Sequence, residues 1–159
     1  MRLEYVNNET IQMKNILFIF GMLFGMVCSV HAQQPITKTS KHDFQTTVEE
    51  LKSTIQAMDL KIIAEVPHSK GAEMSGMELA PTHLLIFGNP KVGSQLMQKD
   101  QGIGLDLPLR MLVYEQEGKT YLSYHDPKNL ADTYELGDKA RILNKMSQVM
   151  GNISNSVAE

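Results

Sequence analysis

Apolar positions change their spacing several times along the chain, and each change marks an element. Residues 16–27 are almost continuously apolar. Over residues 43–58, Val48, Leu51, Ile55 and Met58 recur at three- and four-residue intervals, the spacing of one helix face. Thr46 or Thr47 reads as the cap of that helix, and Glu49 and Glu50 suit the positive end of its dipole. Residues 60–66 (LKIIAEV) are β-rich and end at Pro67, which predicts a strand. Residues 67–81 read as a loop or a short helical turn around His68. Residues 82–87 (THLLIF) form a short apolar run, as in a central strand. Asn89 then offers a cap and Pro90 suits a first helical position, so a helix is predicted from Lys91 to about Asp100. Residues 109–116 and 119–125 alternate as strands and are joined by Glu117-Gly118, a hairpin signal. Asp126-Pro127 opens a helical turn, and a last helix runs over about residues 138–153. The predicted order is a leading tail or strand, then α-β-β-α-β-β-α. Hairpins with helices between them point to an α+β fold, an antiparallel-rich sheet layered by helices.

The apolar run near the start is read as an export signal. Met13 resembles a second start, Lys14 a short basic region, and residues 16–27 an apolar segment of signal length. That run is shorter than the roughly 20 apolar residues a spanning helix needs. Val30-His31-Ala32 resembles a small-x-small cleavage site, so cleavage is expected after Ala32, with the product periplasmic or secreted. An uncleaved anchor or a buried helix is the competing reading. Cys28 raises a lipoprotein reading, but Val27 before it is a poor match. The expected organisation is therefore an N-terminal extension and signal over 1–32, a leading tail or strand over 33–40, one α+β domain over 41–153, and a short tail over 154–159. No stable membrane span is expected after cleavage.

Composition narrows the partners. The chain has 159 residues, 21% of them charged, a net charge of -3 and a single Cys. The acidic pI of about 5.9 argues against nucleic-acid binding through a broad basic face. One Cys excludes a disulfide framework and a Cys-rich zinc fold. Arg2 and Lys14 cancel Glu4 and Glu9, so removing residues 1–32 leaves the net charge unchanged and removes Cys28.

Candidate chemistry is sparse. Gly88-Asn89-Pro90-Lys91 follows a strand and opens a helix, where free amides and Lys91 attract an anion. The competing reading is a well-capped turn, and the P-loop spacing is missing. Asp106 lies in an apolar stretch before Pro108 and needs partners or a raised pKa. It is either a pocket carboxylate or a turn residue bonded to nearby amides. His68 sits in a loop and can change charge near neutral pH, whereas His83 is expected to face solvent. Met74 and Met77 form a Met-x-x-Met pair near two histidines, and thioethers favour Cu(I). Flexible methionines also fill cores, and no metal ligand set is assigned. No Gly-x-Ser-x-Gly elbow is present.

The stretches Pro81-Thr82, Ile86-Phe87-Gly88-Asn89-Pro90-Lys91, Gln95-Leu96-Met97, Leu105-Asp106-Leu107-Pro108-Leu109, Ser123-Tyr124 and Asp126-Pro127 resemble the domain of unknown function 302 family. Residues 47–52 (TVEELK) and the His68 neighbourhood are also similar, and the resemblance covers about residues 40–153. It implies a fold similar to the TATA-binding-protein-like arrangement and pairing as a homodimer, with no established activity. Asp59 departs from the family pattern, standing where a glycine often precedes the second strand. His125 also departs, replacing a small polar residue.

These readings lead to a non-enzymatic module that binds a small, anionic ligand or a partner and uses no cofactor. Its candidate lining is His68, Thr82, Asn89, Lys91, Asp106 and Tyr124. Lys91 and the helix start would hold the anion, and Asp106 and Tyr124 would orient polar atoms. The rival readings are an enzyme of unknown reaction with His68 and Asp106 as an acid–base pair, and a copper-handling protein using Met74, Met77 and a histidine.

Overall fold

The computed structural model describes residues 34–159, so the signal segment and cleavage site expected at 1–32 lie outside the described residues. Among the described residues there are five strands: β1 (Ile36–Thr39), β2 (Lys61–Pro67), β3 (Thr82–Gly88), β4 (Leu109–Gln116) and β5 (Lys119–Tyr124). Helices α1 (Phe44–Ala57), α2 (His68–Met74), α3 (Pro90–Met97) and α4 (Ala140–Val157) are joined to them by 3-10 turns at Gln101–Leu105, Pro127–Asp132 and Gly137–Lys139. The strands form one sheet in the order β1-β5-β4-β3-β2, with every pairing antiparallel. The architecture is α+β, an antiparallel five-stranded sheet layered by helices.

Local chemistry explains most boundaries. Asp43, not Thr46 or Thr47, caps α1: its carboxylate accepts the Thr46 amide at 2.8 Å. Thr47 is instead buried, donating its hydroxyl to the Asp43 carbonyl at 2.7 Å. Asn89 Oδ1 accepts the Lys91 amide at 3.0 Å, with Pro90 as the first residue of α3. That helix stops at Met97, short of Asp100, because Asp100 caps the next turn by accepting the Gly102 amide at 2.8 Å. Glu117 and Gly118 both have positive φ, 52° and 72°, as a tight type I′ hairpin requires. Asp59 adopts φ 58°, the left-handed region where glycine is easiest and Asp is among the better-tolerated side chains.

Periodicity then builds the core. Leu85 and Phe87 of β3, Met111 and Val113 of β4, and Leu122 of β5 turn to one face. There they meet Val48, Leu51 and Ile55 of α1 and Leu143, Met150 and Ile153 of α4. The last helix continues past Ile153 to Val157, where a tail was expected, because Ser154 and Val157 are fully buried too. Its end is tied to β1: Ser40 bridges Ala158, and the Glu159 amide donates to the Thr39 carbonyl at 3.1 Å. On the other sheet face the alternate positions Leu84, Ile86, Leu112, Tyr114 and Tyr121 are half-buried, and the Tyr114 and Tyr121 rings stack with centroids 5.5 Å apart.

Candidate functional site

Antiparallel pairing of β3 with β4 sets Phe87 opposite Leu109. The residues just after β3 and just before β4 are therefore neighbours, although about twenty positions separate them. Gly88-Asn89-Pro90 and Leu107-Pro108-Leu109 form part of the wall of one recess of about 500 Å³. The helical walls come from Val92, Gly93, Ser94, Gln95 and Met97 of α3 and from Ile142, Lys145, Met146 and Val149 of α4. Leu60 and Ile63 close the strand side, next to a register shift in β2 between Ile62 and Ala64. This volume lies in the range of small-molecule sites, and the lining is mostly apolar. Among the described residues Lys145 is the one charged side chain in it.

A second, more polar recess of about 350 Å³ lies beyond Leu109 and includes Asp106, Arg110, His125, Asp126 and Thr133. Its acids are already engaged. Tyr134 donates its hydroxyl to Asp106 Oδ2 at 2.7 Å, and Arg110 stands 3.7 Å from Oδ1. The Asp106 carboxylate holds the Tyr134 phenol above its ordinary pKa. Asp126 caps the Pro127–Asp132 turn, accepting the Lys128 amide at 3.1 Å and pairing with Lys128 Nζ at 3.0 Å. Burial pushes the Asp126 carboxyl up, but the Ser147 hydroxyl and the Lys128 amide and ammonium outweigh it and leave the pKa lowered.

The six candidate residues do not share one cavity. Asn89 lines the apolar recess and Asp106 the polar one. Lys91 is exposed on α3 and lines neither recess. Tyr124 is a core residue, only 6% exposed, with its hydroxyl 3.4 Å from Ser154 Oγ. Alternation along β5 turns it inward, so it is not placed to orient a ligand. Thr82 donates its hydroxyl to the Ala80 carbonyl at 2.8 Å. His68 is exposed at the start of α2, beside the Pro67–His83 pairing. That pairing is four strand steps from Phe87, about 13 Å along β3. His68 and Asp106 thus sit at opposite ends of the sheet, and the geometry does not join them as an acid–base pair. His83 does not face solvent freely: its side chain is 17% exposed and lies 3.0 Å from Glu65, which also pairs with Lys52.

Two further groupings of polar or soft side chains do not form sites. Met74 and Met77 are 89% and 62% exposed, and among the described residues no group of three or more His, Cys, Asp or Glu could hold a metal. Lys38 Nζ lies 2.6 Å from Ser154 Oγ, a distance that Ser–Lys nucleophilic sites share. Ser154 is fully buried, so no substrate reaches it, and the pair instead anchors β1 to α4. Burial lowers the Lys38 pKa. Sequence reasoning missed Lys145, Met146 and Val149 as recess residues. Their spacing on α4 announces a helix face, but not what that face meets.

The family model described as "Domain of unknown function DUF302" matches residues 36–153. The chain belongs to the DUF302 family. A crystal structure titled as an uncharacterized conserved DUF302 protein from Bacillus stearothermophilus superposes with a TM-score of 0.72, at 16% identity, covering 79% of this chain and 99% of that one. That likeness shows a shared fold. The DUF302 chain is also 41% identical over 103 residues to a protein of Brucella suis biovar 1 named Fluoride-specific ion channel FluC 1, covering 64% of this chain and 41% of that one. A protein of the same name from Brucella abortus biovar 1 matches equally well, with 38% of its length covered. The chain therefore spans about two-fifths of the curated relatives it matches. Among the described residues of the DUF302 chain, no helix is long and apolar enough to cross a membrane.

Proposed function

We propose that this DUF302 protein is an exported, non-enzymatic module that binds a small ligand in the apolar recess and pairs as a homodimer. One observation carries the reading: an open cavity of about 500 Å³ where the Gly-Asn-Pro turn meets the Leu-Pro-Leu segment, with few polar groups in its wall. Catalysis finds less support, because His68 and Asp106 lie far apart and both carboxylates of the polar recess are bonded internally. Pairing is supported by the sheet face away from the core helices, where Leu84 is opposite Leu112 and Tyr114 opposite Tyr121. Export after Ala32 rests on the signal-like pattern of residues 13–32. The Brucella proteins named fluoride-specific ion channels share only about two-fifths of their length with this chain, which supports a module that also occurs joined to further sequence.

Native mass spectrometry of protein purified from its own host tests these points together. The expected spectrum is a dimer beginning at Gln33 and carrying a small-molecule adduct. A ligand-free species whose recess takes up no small apolar compound overturns the binding reading. A monomer at all concentrations overturns the pairing, and an intact Met1 or Met13 terminus overturns the cleavage.

A further inference from the structure

The apolar recess also constrains the chemistry of its occupant, and the inference that follows rests on the binding reading above. Among the described residues its wall carries one cation, Lys145, and no carboxylate. Among the described residues Lys145 has no ion-pair partner. The remaining polar side chains of the wall include Asn89 and Ser94. Asn89 spends Oδ1 on the Lys91 amide, which leaves its side-chain N–H groups as donors. A cationic ligand would meet Lys145 with no compensating acid. A polyanion such as a nucleotide would bring more charge than one ammonium and a few donors can satisfy, and it would bury that charge against apolar walls. A neutral apolar compound would leave Lys145 unused.

The wall is also built for room. Gly93 lies inside α3 with no positive φ, so helix geometry does not call for glycine there. Packing does not call for it either: an added Cβ would meet Met97 Cε at 3.8 Å and Leu107 Cδ1 at 3.9 Å, ordinary contacts. Glycine in a helix interior is unfavourable relative to alanine; here it leaves space on the recess side. Met97 and Met146 supply adaptable walls that follow a flexible chain. From this geometry we infer that the recess takes an amphiphile with a flexible apolar chain and a single anionic head, the carboxylate of a fatty acid being the simplest case, with the head at Lys145.

Calorimetric titration of the purified full chain with three probes tests this: dodecanoate and dodecyltrimethylammonium below their micelle concentrations, and dodecanol below its solubility limit. Lys145 is exposed, so dodecanoate is expected to bind most tightly by about five-fold over dodecanol, the upper scale of one exposed charge pair, and the ammonium probe most weakly. Lys145→Met keeps a stem of similar length, removes the charge, and should bring dodecanoate down to the dodecanol affinity while leaving dodecanol unchanged. Gly93→Leu fills the recess from the helix and Ile63→Trp from the strand side, where Ile63 is 53% exposed and a substitution is easily folded. Each should weaken dodecanoate and dodecanol alike, with circular dichroism unchanged. Equal binding of dodecanoate and dodecanol, or a Lys145→Met variant that treats the probes as the parent does, overturns the anionic head and leaves the recess reading standing. Failure of all three probes to bind, or binding that both filling variants leave intact, overturns the recess reading and the ligand class with it.

Discussion

The two recesses on either side of Leu109 share a wall and differ in what they leave unsatisfied. In the polar one, Asp106 holds Tyr134 and Arg110, and Asp126 holds Lys128 and the start of its own turn. Its charges are neutralised within the fold, so little is left over for a ligand. In the apolar one the walls are methionines, leucine and valine, and the single ammonium has no partner among the described residues. A cluster of ionisable groups is thus the weaker candidate here, and a nearly uncharged cavity the stronger. Titratable side chains count toward a site when their bonding capacity is open, not when they are merely close together.

The sharpest way to break this contrast is to truncate one residue from each wall. Met146 is 8% exposed and belongs to both the core and the apolar recess. Met146→Ala should cost about 2–4 kcal/mol in urea unfolding, whereas Arg110→Ala, an exposed pair member, should cost under about 1 kcal/mol. Equal losses would mean that the apolar wall is not part of the core.

Asp126 gives the next largest effect. Removing its cap in Asp126→Ala should cost about 1 kcal/mol near neutral pH. Its folded pKa lies below the unfolded value, so its contribution is complete above the unfolded carboxylate range and is lost as pH falls through the lower folded pKa. Stability curves of parent and variant should therefore converge in acid. A gap that persists at low pH would show that the carboxylate charge is not what stabilises the turn.

The smallest effect has the opposite sign. Gly93→Ala should raise stability by about 0.5–1 kcal/mol through helix propensity, read as a higher Tm. A destabilised variant would show that the space beside Gly93 is not free, and the picture of an open recess would narrow accordingly.

What could be read from the chain before folding follows the range of the interactions. The Asn89-Pro90 helix start and the Glu117-Gly118 hairpin were legible because their causes lie within four residues. The meeting of the Gly88–Pro90 turn with Leu107–Leu109 was within reach, since it needs only one strand pairing. Tyr124 was misplaced because alternation gives a period and not which face turns inward. His68 was misplaced because the pairing of β2 with β3, invisible locally, carries it to the far end of the sheet. The α4 wall depends on packing between elements distant along the chain, and Lys145 carries no sequence mark that separates it from any surface lysine.

The bridge between Ser40 and Ala158, with Glu159 donating to Thr39, brings the two ends of the domain side by side. A domain closed in this way can be spliced into a longer polypeptide, or have its ends joined and be reopened at a surface loop, without redrawing its sheet. Such portability accords with a related stretch occurring within proteins more than twice the length it covers in them.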